Sequence, residues 1–385
     1  MVMHFRFLIS DPQGDIELSP ADLDLPFLLA PEEPHPFLTL KDYFEALQQL
    51  ILLDDGKYLR SVPGEPGLHD NDTRASISEI LIRSEKHGAF YHIASITICG
   101  PERKNKFAVT SALTEFARSS LQEEFGILRK LSAIAPDYLP KLLKMETVTL
   151  QTEKGAEEFC MVLGEWLDGY HEWHLSHDPA ADMQKIRLWD YENGYRYLSD
   201  AESYELLHQA AFILTLYYDQ ASFCQIYPWH HGAGDFIAKC EPDALSVKLI
   251  TARQYEPLVH FDREEEADRL VAAIHFLLNL ALRMRLDRID GAGKPAWFDA
   301  FAVHAAVAGF FAGLSAAAAA NRLLLGPAAD FLAIMQSFDA REVRDMYGSL
   351  LEIYAGEDQD DFHLIRKELA GHAAELQQAL QEFSL

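Results

Sequence analysis

Basic side chains are scarce in this sequence. Lys and Arg number 33 against 60 Asp and Glu, a formal charge of -27 over 385 residues. Such a surface repels nucleic-acid backbones and anionic lipid headgroups. The cluster Arg103-Lys104-Asn105-Lys106 is too short to reverse this and reads as a solvated turn. Neither nucleic acid nor a membrane is expected as a partner. Cysteine is scarce too: Cys99, Cys160, Cys224 and Cys240 include no Cys-x-x-Cys pair. The first three lie in or beside apolar runs and read as buried, reduced thiols. Gly-x-Ser-x-Gly is absent, which removes support for a hydrolase nucleophile elbow. The acidic runs Asp262-Arg-Glu-Glu-Glu266 and Glu357-Asp-Gln-Asp-Asp361 lack alternating oxygen ligands about a central glycine, so they do not suggest calcium. The first reads as a helix start and the second as a linker before the last helix. The chain begins without the basic, apolar, small-residue succession of a secretion signal, and a cytoplasmic protein is expected. There is no internal repeat. The longest apolar stretch, Phe301 to Leu325, is alanine-rich and carries His304, Ser315 and Asn321. It predicts a packed interior helix and not a membrane span.

What is present suits two lobes or domains, each with its own core. Residues 1–74 read as an N-terminal extension or small subdomain. Met3 to Ser10 alternates as a strand does, Asp11-Pro-Gln-Gly14 marks a turn, and Thr39 is placed to cap a helix over Leu40 to Leu53. From residue 75 to 168 the pattern gives strand, strand, strand, helix, strand, strand. The strands are Ile77–Ser84, Tyr91–Ile98, Lys106–Leu113, Lys144–Leu150 and Glu158–Trp166. The helix is Thr114–Ile134, with Phe116, Leu121, Phe125, Leu128 and Leu131 on one face. Residues 169–385 are mostly helical, with helices expected at 203–221, 263–286, 297–325, 328–337, 340–354 and 360–383. Between the first two of these, a loop of two histidines, two glycines and an aspartate precedes two short β-type runs.

Several stretches of this succession resemble the protein-kinase and aminoglycoside/choline-kinase-like superfamily. Leu121-Gln-Glu-Glu-Phe-Gly-Ile-Leu-Arg-Lys-Leu131 resembles the small-lobe helix, with Glu124 where that family has its ion-pairing glutamate. Phe159-Cys-Met-Val-Leu-Gly-Glu-Trp-Leu-Asp-Gly169 is similar to the fifth strand and hinge. The resemblance therefore implies that hinge backbone around Glu165 and Leu167 meets an adenine. Gly234-Asp235-Phe236-Ile237 resembles the end of the catalytic loop, and Val247-Lys-Leu-Ile-Thr251 the strand leading to the Asp-Phe-Gly element. The similarity spans roughly residues 75–340. The fold class it implies is α+β: a two-lobed protein-kinase-like fold, with a small antiparallel β lobe holding one helix and a larger helical lobe.

The departures concern chemistry. Phosphoryl transfer needs phosphate positioning, divalent-metal ligands and a group that orients the acceptor hydroxyl. The hairpin turn Glu85-Lys86-His87-Gly88 has one glycine in place of a Gly-rich loop. Thr110 stands where the resemblance expects the phosphate-pairing lysine, and Lys106 lies four residues early. His230 stands in place of the catalytic aspartate, and Thr251 in place of the second-element metal aspartate. Asp235 alone remains as a metal ligand. This is the pattern of a pseudokinase, catalytically inactive and acting as a binding or regulatory module for an unknown protein or small-molecule partner. One alternative is an atypical ATP-dependent small-molecule phosphotransferase, with ATP and Mg as cofactors, Asp235 holding metal and His230 acting as base. Another is a metal-dependent enzyme built on His230, His231 and Asp235, since imidazoles and a carboxylate suit zinc or iron(II).

Two further groupings follow the hinge. In His171-Glu-Trp-His174-Leu-Ser-His177 the first two histidines fall on one helical turn and have chelating spacing. The plainer expectation is an exposed aromatic-polar helix start. Trp166, Tyr170, Trp173, Trp189, Tyr191, Tyr195 and Tyr197 form an aromatic cluster that reads as core beneath the hinge, or as a ligand wall.

Overall fold

The structure is a computed structural model, and it describes residues 4–11, 14–30, 33–53, 77–88, 90–100, 104–190, 193–231, 234–242, 244–261 and 266–385. It is mixed α+β, and the chain forms two compact units. One comprises Met1–Lys130 and Pro140–Asp168, the other Leu131–Leu139 and Gly169–Leu385.

The first unit opens with β1 (Phe5–Ile9), β2 (Ile16–Glu17), α1 (Pro20–Leu23), β3 (Pro26–Ala30), β4 (Glu33–Thr39) and α2 (Leu40–Leu52). Thr39 starts α2 with a capping box: its hydroxyl accepts the Asp42 N–H, and the Asp42 carboxylate accepts the Thr39 N–H at 2.8 Å. Then come β5 (Glu79–His87), β6 (His92–Cys99), β7 (Lys104–Ala112), α3 (Glu115–Ser132), β8 (Leu142–Thr152) and β9 (Gly155–Glu165). These last six follow the succession expected from the sequence.

The sheet is larger than that succession implies. Its order is β2-β1-β5-β6-β7-β9-β8, and β1 runs parallel to β5 with Phe5 opposite Ile80. The sheet is therefore seven-stranded and mixed, where the sequence suggested five antiparallel strands. Alternation along β9 sorts its side chains onto two faces. Phe159, Met161 and Leu163 join Tyr43, Phe44, Leu47, Leu50 and Ile51 of α2 in one core. Cys160 and Val162 face the other way, onto Ala117 and Leu121 of α3. Residues 4–53, read from sequence as an extension, thus supply both an inner strand and the helix of one core. Bridging by β1 is a long-range pairing that no local pattern announces. Pro12 and Gln13 of the expected turn fall outside the described residues.

The second unit begins with β10 (Trp173–Asp178), β11 (Met183–Leu188) and β12 (Arg196–Tyr197), a three-stranded antiparallel sheet. This corrects the helical reading of His171 to His177. The stretch is a strand in which Trp173 and His174 are both buried, so His171 and His174 do not share a helical turn. Next come α4 (Asp200–Leu216), β13 (Cys224–Ile226), β14 (Phe236–Glu241), β15 (Ala244–Leu249), β16 (Tyr255–Pro257) and α5 (Glu266–Arg283). After them lie β17 (Leu286–Arg288), β18 (Pro295–Trp297), α6 (Phe301–Ala319), α7 (Ala328–Ser337), α8 (Ala340–Met346), α9 (Gly348–Tyr354) and α10 (Gln359–Glu382). β14 and β15 make the expected hairpin, while β13 pairs with β16. The helix expected over 340–354 divides into α8 and α9 at Tyr347.

Among the described residues α6 is the one helix long and apolar enough to cross a membrane, and most of it is buried in this unit. Its small side chains let α4 approach. A Cβ on Gly309 would meet the His208 carbonyl oxygen and lie 2.7 Å from the Ala211 methyl; one on Gly313 would lie 2.6 Å from Thr215 Cβ. Cys99 and Cys160 are buried, Cys224 and Cys240 half-buried, and all four are free thiols.

Candidate functional site

The loop from β13 to β14 holds the residues the sequence singled out, and its fold follows from one carboxylate. Asp235 is 1% exposed. Its Oδ2 accepts the His230 N–H at 2.8 Å, so the five-residue spacing lets the side chain tie off the loop it ends. Gly234 has φ +67, and a Cβ there would lie 2.9 Å from Glu172 Oε1, which restricts this position to glycine. The same Oδ2 accepts from Arg253 Nη1 at 2.6 Å. Arg253 follows β15, which is registered on β14 by the Ile250 N–H bond to the Asp235 carbonyl at 2.8 Å. Burial pushes the Asp235 carboxyl up from its ordinary value, while Arg253 and the His230 N–H pull it down.

The two histidines face different surroundings. His231 is buried against Trp173, Trp229 and Phe298, with ring centroids at 4.7, 5.2 and 5.9 Å. Its Nε2 lies 3.3 Å from the Met284 carbonyl, which only accepts and so places the proton on Nε2. His230 instead meets Arg283, whose Nη2 is 3.3 Å from Nδ1. Burial lowers both histidines to about 3. For His230, Arg283, Arg253 and Arg288 add to the effect; for His231 the Met284 bond opposes it. Among the described residues no three His, Cys, Asp or Glu side chains converge to hold a metal ion.

Around His230 lies a layer the sequence reading missed. Arg283, at the end of α5, is 2% exposed. Its Nη1 donates to Glu357 Oε2 at 3.2 Å, and its guanidinium lies 5.6 and 5.9 Å from the ring centroids of Tyr227 and Tyr354. The Tyr227 hydroxyl donates to the other Glu357 oxygen. Arg288 Nη2 lies 2.9 Å from Asp358 and 2.8 Å from Asp361. The acidic run read as a plain linker is therefore seated on two arginines. The available signal was Leu282-Arg-Met-Arg-Leu-Asp-Arg288, where charges interrupt an apolar stretch and so require buried partners.

Glu124, Glu165, Leu167, Thr110 and Lys106 lie in the first unit. Glu124 is buried on α3. Glu165 ends β9, where its Oε2 accepts the Lys141 N–H at 3.1 Å, and Leu167 follows half-buried. Thr110 sits mid-strand on β7 opposite Ile93 and Val162. Lys106, four residues earlier on that strand and so about 13 Å away, lies 3.6 Å from Glu85 and 3.7 Å from the Trp166 ring centroid. Of the aromatic cluster, Trp173 is buried core, while Tyr195 is exposed and carries Arg187 at 4.2 Å.

Comparison of the chain with protein-family models and with curated proteins finds no match.

Proposed function

We propose that this chain is a catalytically inactive kinase-like protein, two-lobed and cytoplasmic, that works as a binding or regulatory module. The observation that carries the reading is the Asp235–Arg253 ion pair. On the alignment that the resemblance gives, Asp235 is the remaining metal ligand, and Arg253 lies two residues beyond Thr251. Magnesium demands near-octahedral oxygen ligands and binds through carboxylates plus substrate phosphates. A guanidinium 2.6 Å from the carboxylate already neutralises it and repels a second cation at the same oxygen. The succession β5-β6-β7-α3-β8-β9 and the β14–β15 hairpin after the loop also support the family reading.

The phosphotransferase alternative has less support. A general base works best with a pKa near the working pH, and His230 is held at about 3. Thermal melting with millimolar ATP, with and without magnesium, tests the choice, because a ligand of the folded state raises the melting temperature. The expected result is no magnesium-dependent shift and no loss of the ATP γ-phosphate. A magnesium-dependent rise that disappears in Asp235→Ala would overturn the inactive reading.

A further inference from the structure

The segment Glu357–Asp361 places three of this chain's own carboxylates on two arginines beside His230. Anchoring α10 explains part of this. Asp358 is the N-cap of that helix, accepting the Asp360 and Asp361 N–H groups at 2.9 and 3.1 Å. Capping does not require Glu357, which lies outside the helix, nor the buried Arg283 and the Tyr227 hydroxyl that hold it.

The seat is used loosely. A guanidinium presents a planar fork suited to gripping one oxyanion with two parallel bonds. Arg283 instead gives one nitrogen to Glu357 and turns the other to His230. Arg288 meets Asp358 and Asp361 through the same Nη2. Burial pushes the Asp361 carboxyl up, and Asp358 and Glu357 add to this, while Arg288 and Arg283 pull it down. The segment reaches solvent, with the Asp358 side chain 51% exposed and that of Glu357 27%.

The geometry points to an anion-binding cradle formed by Arg283, Arg288, Tyr227 and His230, and closed by residues 357–361 as a tethered acidic strap. Its ligand class is a small molecule with two linked phosphate groups, one for each arginine, and binding displaces Glu357 and Asp361. No metal is needed, since the guanidinia supply the positive charge. This inference rests on the cradle alone and stands or falls independently of the kinase-like reading.

The test is titration calorimetry of the full chain with inorganic pyrophosphate in metal-free buffer. Glu357→Gln with Asp361→Asn removes two competing carboxylates and keeps Asp358 as the helix cap. Apparent affinity scales with the open fraction, so this double variant is expected to bind pyrophosphate about tenfold tighter than the native chain. Adding Arg288→Met should erase the gain. Equal affinity in a folded double variant, or a gain that survives Arg288→Met, overturns the proposal. If circular dichroism shows the double variant unfolded, hydrogen exchange on the native chain decides. Faster exchange of the Asp360 and Asp361 amides with millimolar pyrophosphate supports displacement, and unchanged exchange refutes it.

Discussion

Arg253 Nη1 lies 2.6 Å from Asp235 Oδ2, and the two ends of this pair differ in exposure: the Asp235 side chain is 1% exposed and that of Arg253 37%. The two halves therefore carry unequal risk. Asp235→Asn leaves a guanidinium that water reaches and keeps an oxygen to accept the His230 N–H. It is expected to cost about 1–3 kcal/mol. Arg253→Met strands a carboxylate in the interior, and removing one partner of a buried pair costs about 3–5 kcal/mol. Urea unfolding at pH 7.5 should rank Arg253→Met as the more damaging. The opposite ranking would mean that Asp235 finds compensation elsewhere.

Acid should weaken the fold before the carboxylates titrate. Burial holds His230, His231 and His372 at about 3, well below the usual imidazole value of about 6.5. A depressed histidine binds fewer protons folded than unfolded. The stability it contributes is complete above about pH 6.5 and is lost as pH falls towards 3, by up to about 1.4 kcal/mol per pH unit for each group. Urea midpoints should be level near pH 7.5 and fall between pH 6.5 and 5. His372→Gln, at a ring that contacts Tyr347 OH at 2.7 Å, should flatten that slope. A slope unchanged in His372→Gln would show that this ring titrates normally.

Removing residues 1–76 should destroy the first unit. The deletion takes away β1 and α2, leaving Phe159, Met161, Leu163, Ile80 and Ile82 without their cover. The truncated chain is expected to aggregate on expression, whereas a true extension would be dispensable. A soluble truncated chain with native circular dichroism would refute the shared core.

One substitution type should have opposite signs at two helical glycines. Ala is better than Gly in a helix by about 1 kcal/mol. At Gly371 on α10 a Cβ meets nothing within 4 Å, so Gly371→Ala should stabilise by roughly that amount. At Gly309 the new methyl runs into the His208 carbonyl and Ala211 Cβ, both part of the rigid α4. Overpacking of about 1–3 kcal/mol or more outweighs the helix gain, and Gly309→Ala should lower the melting temperature. Melting curves of the two variants settle the signs.

Elements set by local chemistry were legible in the sequence. Thr39 and Asp42 mark the start of α2, alternation marks β5 to β9, and the alanine-rich run marks an interior helix. The His230 to Asp235 spacing drew attention to a loop that does close on itself. Elements set by distant partners were not legible. Nothing near Phe5 says that it pairs with Ile80, and nothing near Glu357 says that it meets Arg283 and Tyr227. The strand at Trp173 to Asp178 was misread because a helical histidine spacing also fits a strand whose alternate side chains are both covered. Arg253 was not legible either: it lies two residues beyond Thr251, and no local pattern ties its guanidinium to a carboxylate 18 positions earlier.

Close contact between α4 and α6 also bears on how this protein is made. Phe301–Ala319 leaves the ribosome as an uncharged apolar segment of nearly membrane-spanning length. Insertion machinery and chaperones sort nascent segments by that property, without reference to the finished fold. The groove that accepts this segment, on Ala211 and Thr215, has by then already been synthesised. The glycines at 309 and 313, by letting α4 lie close, are part of what keeps a segment of nearly membrane-spanning apolar length covered by a helix of the same unit.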